Sequence, residues 1–266
     1  MISFENRTAL ITGASSGIGE GFAETLAAQG SNVILVARSK GKLEGLASRI
    51  TTSHKIAAEV VVADLSEAGA PDMVFARVQK LGRHVDILIN NAGFGSHGPF
   101  HSLPIDKVQD MISLNVLALA RLTHLFLTGM VERREGIIVN VASTAAFQPV
   151  PYMAVYGASK AFVLSFSEAL WAEYRSQGIR VLALCPGATQ TGFFKVAGEN
   201  AAMGSKRTVE SVVESAIRAL TRGKSFVVDG RLNYLMTQSI RLAPRGVVAR
   251  SAARIMAPAP ATQIPR

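Results

Sequence analysis

Seven short runs along the chain are almost wholly apolar and rich in β-branched residues: 8–12, 32–37, 60–63, 87–90, 136–141, 180–185 and 226–229. They lack the strict alternation of a strand with one wet face. The pattern therefore predicts strands buried on both sides, as in a parallel sheet. Between them lie longer stretches with helical character, at 18–29, 42–51, 70–81, 105–130, 153–177 and 208–221. Strand–helix alternation implies right-handed crossovers, so the predicted fold is a doubly wound, Rossmann-type α/β domain. It has a seven-stranded, mainly parallel sheet with helices on both faces, in one domain over 1–230.

The rhythm stops after Gly230. Residues 232–256 are apolar but carry Arg241, Arg245, Arg250 and Arg254, with Arg231 just ahead and Pro244 dividing them. That arrangement predicts two short amphipathic helices followed by a frayed Pro/Ala-rich tail at 257–266. For this extension, 231–266, packing on the domain or at an oligomer contact is the first reading. Contact with an anionic membrane is the second.

Composition narrows the class. A length of 266 residues suits one α/β domain. Charged residues make up only 18 %, which points to faces covered by subunit contacts, hence a homodimer or homotetramer. The most apolar stretch, 114–130, carries Arg121 and His124, so it reads as a buried or interface helix rather than a membrane span. One cysteine, Cys185, suits a reducing compartment. The first strand begins too early to leave room for a signal core, so cytoplasmic residence is expected. A net charge of +9 would suit nucleic acid, anionic lipid or a phosphorylated cofactor. Without zinc-finger spacing, an RNA-binding aromatic signature or a long basic block, no nucleic-acid partner is expected. His97 and His101 stand four apart, but Gly95, Gly98 and Pro99 around them forbid a helix, so no metal site is expected.

The chemistry lies at the strand ends. Thr12-Gly13-Ala14-Ser15-Ser16-Gly17-Ile18-Gly19 follows the first strand and opens the first helix. Glycines there let the backbone approach a pyrophosphate, whose charge meets the helix N-terminus. The second strand ends Ala37-Arg38-Ser39, with no acid in the slot that binds a ribose 2′-hydroxyl. Arg38 offers a fork for a 2′-phosphate, at about 1.5–3 kcal/mol per charge-assisted bond, and Ser15 and Ser39 add hydroxyls. The cofactor expected is NADP(H). Tyr156 and Lys160, four apart on a helix, share a face. A neighbouring ammonium would favour the phenolate and bring the tyrosine toward acid–base work near neutral pH. Ser143, just past the fifth strand, lies on the same carboxyl edge, where a doubly wound sheet places its ligand crevice.

TGASSGIG, Asn90-Asn91-Ala92-Gly93, Ser143, Tyr156/Lys160 and Pro186-Gly187 together resemble the short-chain dehydrogenase/reductase family, from about Arg7 to Thr191. The resemblance implies that Gly13, Ser15, Ser16, Gly17, Ile18 and Gly19 hold the dinucleotide. Asp64 and Leu65 would meet the adenine, and Asn90, Ala92 and Gly93 the adenosine ribose. Thr189 and Thr191, after Pro186-Gly187, would face the nicotinamide carboxamide or a phosphate. It implies further that Asn115 joins Ser143, Tyr156 and Lys160 as a fourth catalytic position, holding a water. The implied reaction interconverts a carbonyl and a secondary alcohol by hydride transfer, with Tyr156 as acid/base. Two features depart from the family pattern. Ser16 stands where a second basic residue often serves NADP, and about 35 residues follow Asp229-Gly230-Arg231.

Phe94, Phe147, Tyr152, Met153 and Phe193, with Pro149 and Phe194, flank these motifs and would line a pocket for a hydrophobic ketone, aldehyde, steroid-like or 3-oxoacyl substrate. Residues 192–207 would form a mobile lid. The rival reading is a catalytically silent NADP-binding sensor or scaffold. Against it, all four catalytic positions are filled.

Overall fold

The computed structural model describes residues 2–193 and 206–257. Seven strands form one sheet in the order β3-β2-β1-β4-β5-β6-β7, every neighbouring pair parallel. They are β1 (Thr8–Thr12), β2 (Asn32–Ala37), β3 (Ala58–Val62), β4 (Ile87–Asn90), β5 (Gly136–Val141), β6 (Ile179–Cys185) and β7 (Phe226–Val228). The third begins two residues earlier than its apolar run, because Ala58 and Glu59 pair with Val33 and Ile34 whatever their polarity.

Side chains alternate between the two faces of the sheet, and both faces are dry. Ile11, Leu35, Ile89, Val139 and Leu184 pack against α1 (Gly17–Ala28), α2 (Lys40–His54) and α7 (Val209–Thr221). Their neighbours Leu10, Ile34, Leu88, Ile138 and Val181 pack against α3 (Ala70–Lys80), α5 (Leu119–Arg133) and α6 (Ala154–Tyr174). Burying each large side chain contributes about 1.5–3 kcal/mol, which explains the unbroken apolar runs.

The predicted helix over 105–130 is more irregular than its pattern. α4 (Ile105–Ile112) passes through a π segment, Ser113–Ala118, into α5. Length and composition alone would let this helix cross a membrane, yet Leu122, Phe126 and Met130 form part of the core under the sheet.

Beyond β7 the chain forms α8 (Arg231–Ser239), a 3₁₀ turn and, after Pro244, α9 (Arg245–Met256). Met256 is buried against Met111, Val150, Met153 and Tyr156. Its carbonyl oxygen lies 2.9 Å from His97 Nε2. Most of the lid predicted over 192–207, and Phe194 with it, lies outside the described residues.

Candidate active site

One cavity of about 1520 Å³ runs along the carboxyl edge of the sheet. The glycine loop and Arg38 line it, as do residues of α8 and α9. Ser143, Tyr156 and Lys160 all line it. Parallel strands bring them together, since every loop after a strand opens on the same rim.

Gly13 and Gly17 adopt φ of +65° and +60°, conformations open to glycine. A Cβ on Gly17 would stand 2.8 Å from Thr191 Cγ2. Ser16, ahead of α1, makes no side-chain cap, so the first N–H groups of that helix are left for an anion. Thr12 fastens this loop to the one after β4: its hydroxyl accepts the N–H groups of Asn91 and Ala92 at 2.9 and 3.0 Å. Asn91 Nδ2 donates back to the Thr12 and Gly13 carbonyls. Ser15, Ser16, Ile18, Leu65, Ala92, Gly93, Pro186, Gly187, Thr189 and Thr191 line the cavity.

Two of the predicted cofactor contacts lie behind this wall. Asn90 is buried away from the cavity, donating to Thr123 Oγ1 and Asn140 Oδ1 at 2.9 Å each. It braces β4 against β5, and Asn91 takes the loop-facing place. Gly19 also lies off the cavity. A Cβ there would sit 2.4 Å from the Gly13 carbonyl oxygen, so this glycine serves the packing of helix on loop.

Arg38 and Asp64, both lining the cavity, meet 3.4 Å apart. Burial pushes the Asp64 carboxyl up, but the hydroxyl and N–H of Ser66, with Arg38, outweigh it and hold it below the usual range. Asp64 thus closes a turn with Ser66 instead of capping α3, whose N-cap is Gly69. Arg38 itself is 77 % exposed, its guanidinium available to a phosphate.

The reacting groups are buried. Tyr156 and Ser143 line the same stretch of cavity, and Ser143 Oγ accepts the Ala145 N–H at 3.1 Å. Lys160 Nζ donates to the Val141 carbonyl at 2.7 Å and stands 5.8 Å from the centre of the Tyr156 ring. The sequence pattern predicts an ammonium that draws the phenol pKa down. Burial overrides it: the Tyr156 hydroxyl is pushed up to about 12, opposed only in part by Ser143, and the Lys160 amine is pushed down to about 8. Cys185, beneath them, is fully buried and its thiol is pushed up by burial, so it is an inert packing residue.

Asn115 sits in the π segment, 1 % exposed. Its Oδ1 accepts Phe94 N–H at 3.1 Å; its two amide hydrogens go to the Phe94 carbonyl and Ser159 Oγ. So engaged, the side chain clamps the loop after β4 beside Lys160. A Cβ on Gly93 would lie 2.9 Å from Asn115 Oδ1 and 3.5 Å from Lys160 Nζ.

In the substrate half of the cavity, Phe94, Met153 and Phe193 line the wall, and the Tyr156 and Phe193 rings lie 5.3 Å apart. Phe147 does not; it packs on Phe226 in the core. Tyr152 does not either. It takes a φ of +63° and packs near His97. Pro149 is exposed outside the cavity. Gly95 carries no motif signal, yet a Cβ there would crowd Phe193, Met153 and Tyr156 at 3.0–3.2 Å. Val247, Ile255 and Met256 complete the wall from the extension. Arg207 and Asn233 escaped the sequence reading because no motif contains them. Arg207 binds Asp229 at 2.9 Å while its backbone holds those of Ala188 and Gln190; Asn233 Nδ2 donates to the Asp229 carbonyl at 2.7 Å. Among the described residues no cluster of His, Cys, Asp or Glu is arranged for a metal.

A profile for short chain dehydrogenases matches residues 7–202. Hydroxysteroid dehydrogenase-like protein 1 of Gallus gallus is 42 % identical over 182 residues, covering 68 % of this chain and 55 % of that one. The inactive hydroxysteroid dehydrogenase-like protein 1 of Homo sapiens is 39 % identical, with coverages of 70 % and 57 %. A very-long-chain 3-oxoacyl-CoA reductase of Anas platyrhynchos is 38 % identical over 215 residues, with coverages of 79 % and 67 %. The chain thus spans about half to two thirds of the length of these relatives. A solved short-chain dehydrogenase from Sphingobium yanoikuyae, in complex with NADPH, superimposes with a TM-score of 0.82 at 35 % identity, covering 91 % of this chain and 94 % of that one.

Proposed function

The chain belongs to the short-chain dehydrogenase/reductase family of oxidoreductases, and from that premise we propose that it reduces a carbonyl on a hydrophobic small molecule, using NADP(H). The observation that carries the reading is the meeting of Ser143, Tyr156 and Lys160 on one cavity with the glycine loop and Arg38. The residues present fit the dinucleotide: two positive-φ glycines, an uncapped helix N-terminus, and a guanidinium where NAD-selective sheets hold an acid.

NADP(H), when bound, supplies or accepts the hydride. The chain supplies the proton and the geometry. Ser143 holds the substrate oxygen beside the Tyr156 hydroxyl. With its pKa at about 12, Tyr156 carries its proton at neutral pH and gives it to the developing alkoxide. Lys160, held by Val141, restores that proton, and its own pKa of about 8 makes the transfer feasible near neutrality. In the reverse direction the same group takes the alcohol's proton.

The wall of Phe94, Met153, Phe193 and the extension suits an extended apolar substrate. The 3-oxoacyl and hydroxysteroid names of relatives point the same way. The silent-sensor reading draws weight from the relative named inactive. Here the serine, tyrosine and lysine are all present and assembled, which favours turnover. The test is NADPH oxidation against a panel of apolar ketones, ketosteroids and 3-oxoacyl thioesters, run beside NADH. Tyr156→Phe should abolish turnover and retain NADPH binding. Oxidation surviving in that variant, or absent throughout the panel, overturns the proposal.

A further inference from the structure

After Asp229 the sequence has no acidic residue, yet it carries Arg231, Arg241, Arg245, Arg250, Arg254 and Arg266. Those six cations make up two thirds of the net charge of +9. Arg231, Arg241, Arg245, Arg250 and Arg254 are all exposed, and among the described residues none of these five enters an ion pair. Elsewhere arginines such as Arg7, Arg49, Arg121 and Arg218 pair with carboxylates, whereas the extension brings five unpaired guanidiniums into a stretch of 24 residues.

Apolar side chains stand among these arginines. Leu242 is 90 % exposed and Leu235 63 %, and neither lines the cavity. Leu232 and Ile255, 71 % and 66 % exposed, stand where α8 and α9 border the cavity. An apolar edge set in a cationic stretch of chain without acidic residues fits a layer of anionic headgroups over hydrocarbon. A second copy of this chain fits poorly, because a two-fold contact would set the same arginines against each other.

We propose that α8 and α9 dock this protein on an anionic lipid surface, with Leu235 and Leu242 entering the interface and Arg241, Arg245, Arg250 and Arg254 facing the headgroups. One side of this helical pair borders the cavity while the other meets the bilayer. A lipophilic substrate would therefore enter from the membrane without crossing water. The docking itself does not depend on turnover.

Co-sedimentation of the full chain with phosphatidylglycerol/phosphatidylcholine vesicles, beside pure phosphatidylcholine vesicles, tests it. The expected result is binding to the anionic vesicles only, weakened by salt. Arg245→Gln with Arg250→Gln should lower that binding about 25-fold, at about fivefold per cation near the surface. Leu235→Glu with Leu242→Glu should abolish it while leaving the melting temperature and NADPH binding unchanged, which separates a lost contact from a lost fold. Failure to bind anionic vesicles overturns the proposal, as does binding that survives both double variants. So does sedimentation equilibrium showing a dimer that the leucine pair variant splits.

Discussion

Lys160 Nζ donates to the Val141 carbonyl oxygen at 2.7 Å, tying α6 to the end of β5 beneath the reacting tyrosine. The amine is fully buried, and burial holds its pKa at about 8 against an ordinary 10.5. Between those values the unfolded chain keeps a proton that the native chain has released. Native stability supplied through this lysine therefore rises with pH across the window. Urea unfolding of wild type and Lys160→Met at pH 7.5 to 10.5 should show the difference moving in favour of wild type by up to about 3 kcal/mol. A difference independent of pH would mean that the lysine stays charged in the fold.

The proposed use of NADP(H) rests on Arg38. Arg38→Ala removes charge-assisted bonds of about 1.5–3 kcal/mol, so the Kd for NADPH should rise roughly 10- to 100-fold. The Kd for NADH, which lacks the phosphate, should barely move. Fluorescence titration with both dinucleotides measures the pair, and an equal loss for both would remove Arg38 from the phosphate site.

Two glycines should respond in opposite ways. Gly19→Ala sets a Cβ 2.4 Å from the Gly13 carbonyl oxygen and 2.6 Å from Asn91 Nδ2. The glycine loop must shift, and NADPH affinity should fall at least about tenfold. Gly45, inside α2, has nothing within 4 Å of its hypothetical Cβ. Gly45→Ala should stabilise the fold by about 0.5–1 kcal/mol and leave NADPH binding alone.

Asp229 is completely buried and joins Arg207 and Ser215 at the end of β7. Asp229→Ala strands the guanidinium beside the loop that carries Thr189. A loss of about 1–2 kcal/mol in urea unfolding is expected, since the part-exposed guanidinium regains water, with a raised KM for NADPH. If stability falls while KM stays fixed, the pair supports the fold without shaping the nicotinamide end.

The strands were legible because β1, β2, β4 and β5 are buried on both faces and so read as solid apolar runs. The glycine loop, Ser143, Tyr156 and Lys160 were legible because each follows or faces a strand end. Asn90 and Gly19 lie off the cavity for one shared reason: a motif marks where a turn must be, without saying which residue turns outward. Asn91 points toward the glycine loop because Asn90, one position earlier, continues the strand into the core. Phe147 and Tyr152 show the same limit for apolar residues, since periodicity cannot tell a pocket wall from packing behind it. The protonation states were illegible from spacing alone. They depend on burial, and on Lys160 turning to a backbone carbonyl 19 residues away.

The wide turn at Ser113–Ala118 makes local chain length a determinant of the chemistry. A turn that holds more than 3.6 residues places Asn115 against Phe94 and Ser159 while keeping α5 in phase with the sheet. Removing one residue from this stretch would regularise the helix and swing Asn115 by about 100° relative to α5. A scan of single substitutions would pass over this dependence, because the surplus residue acts through counting and no one side chain carries it.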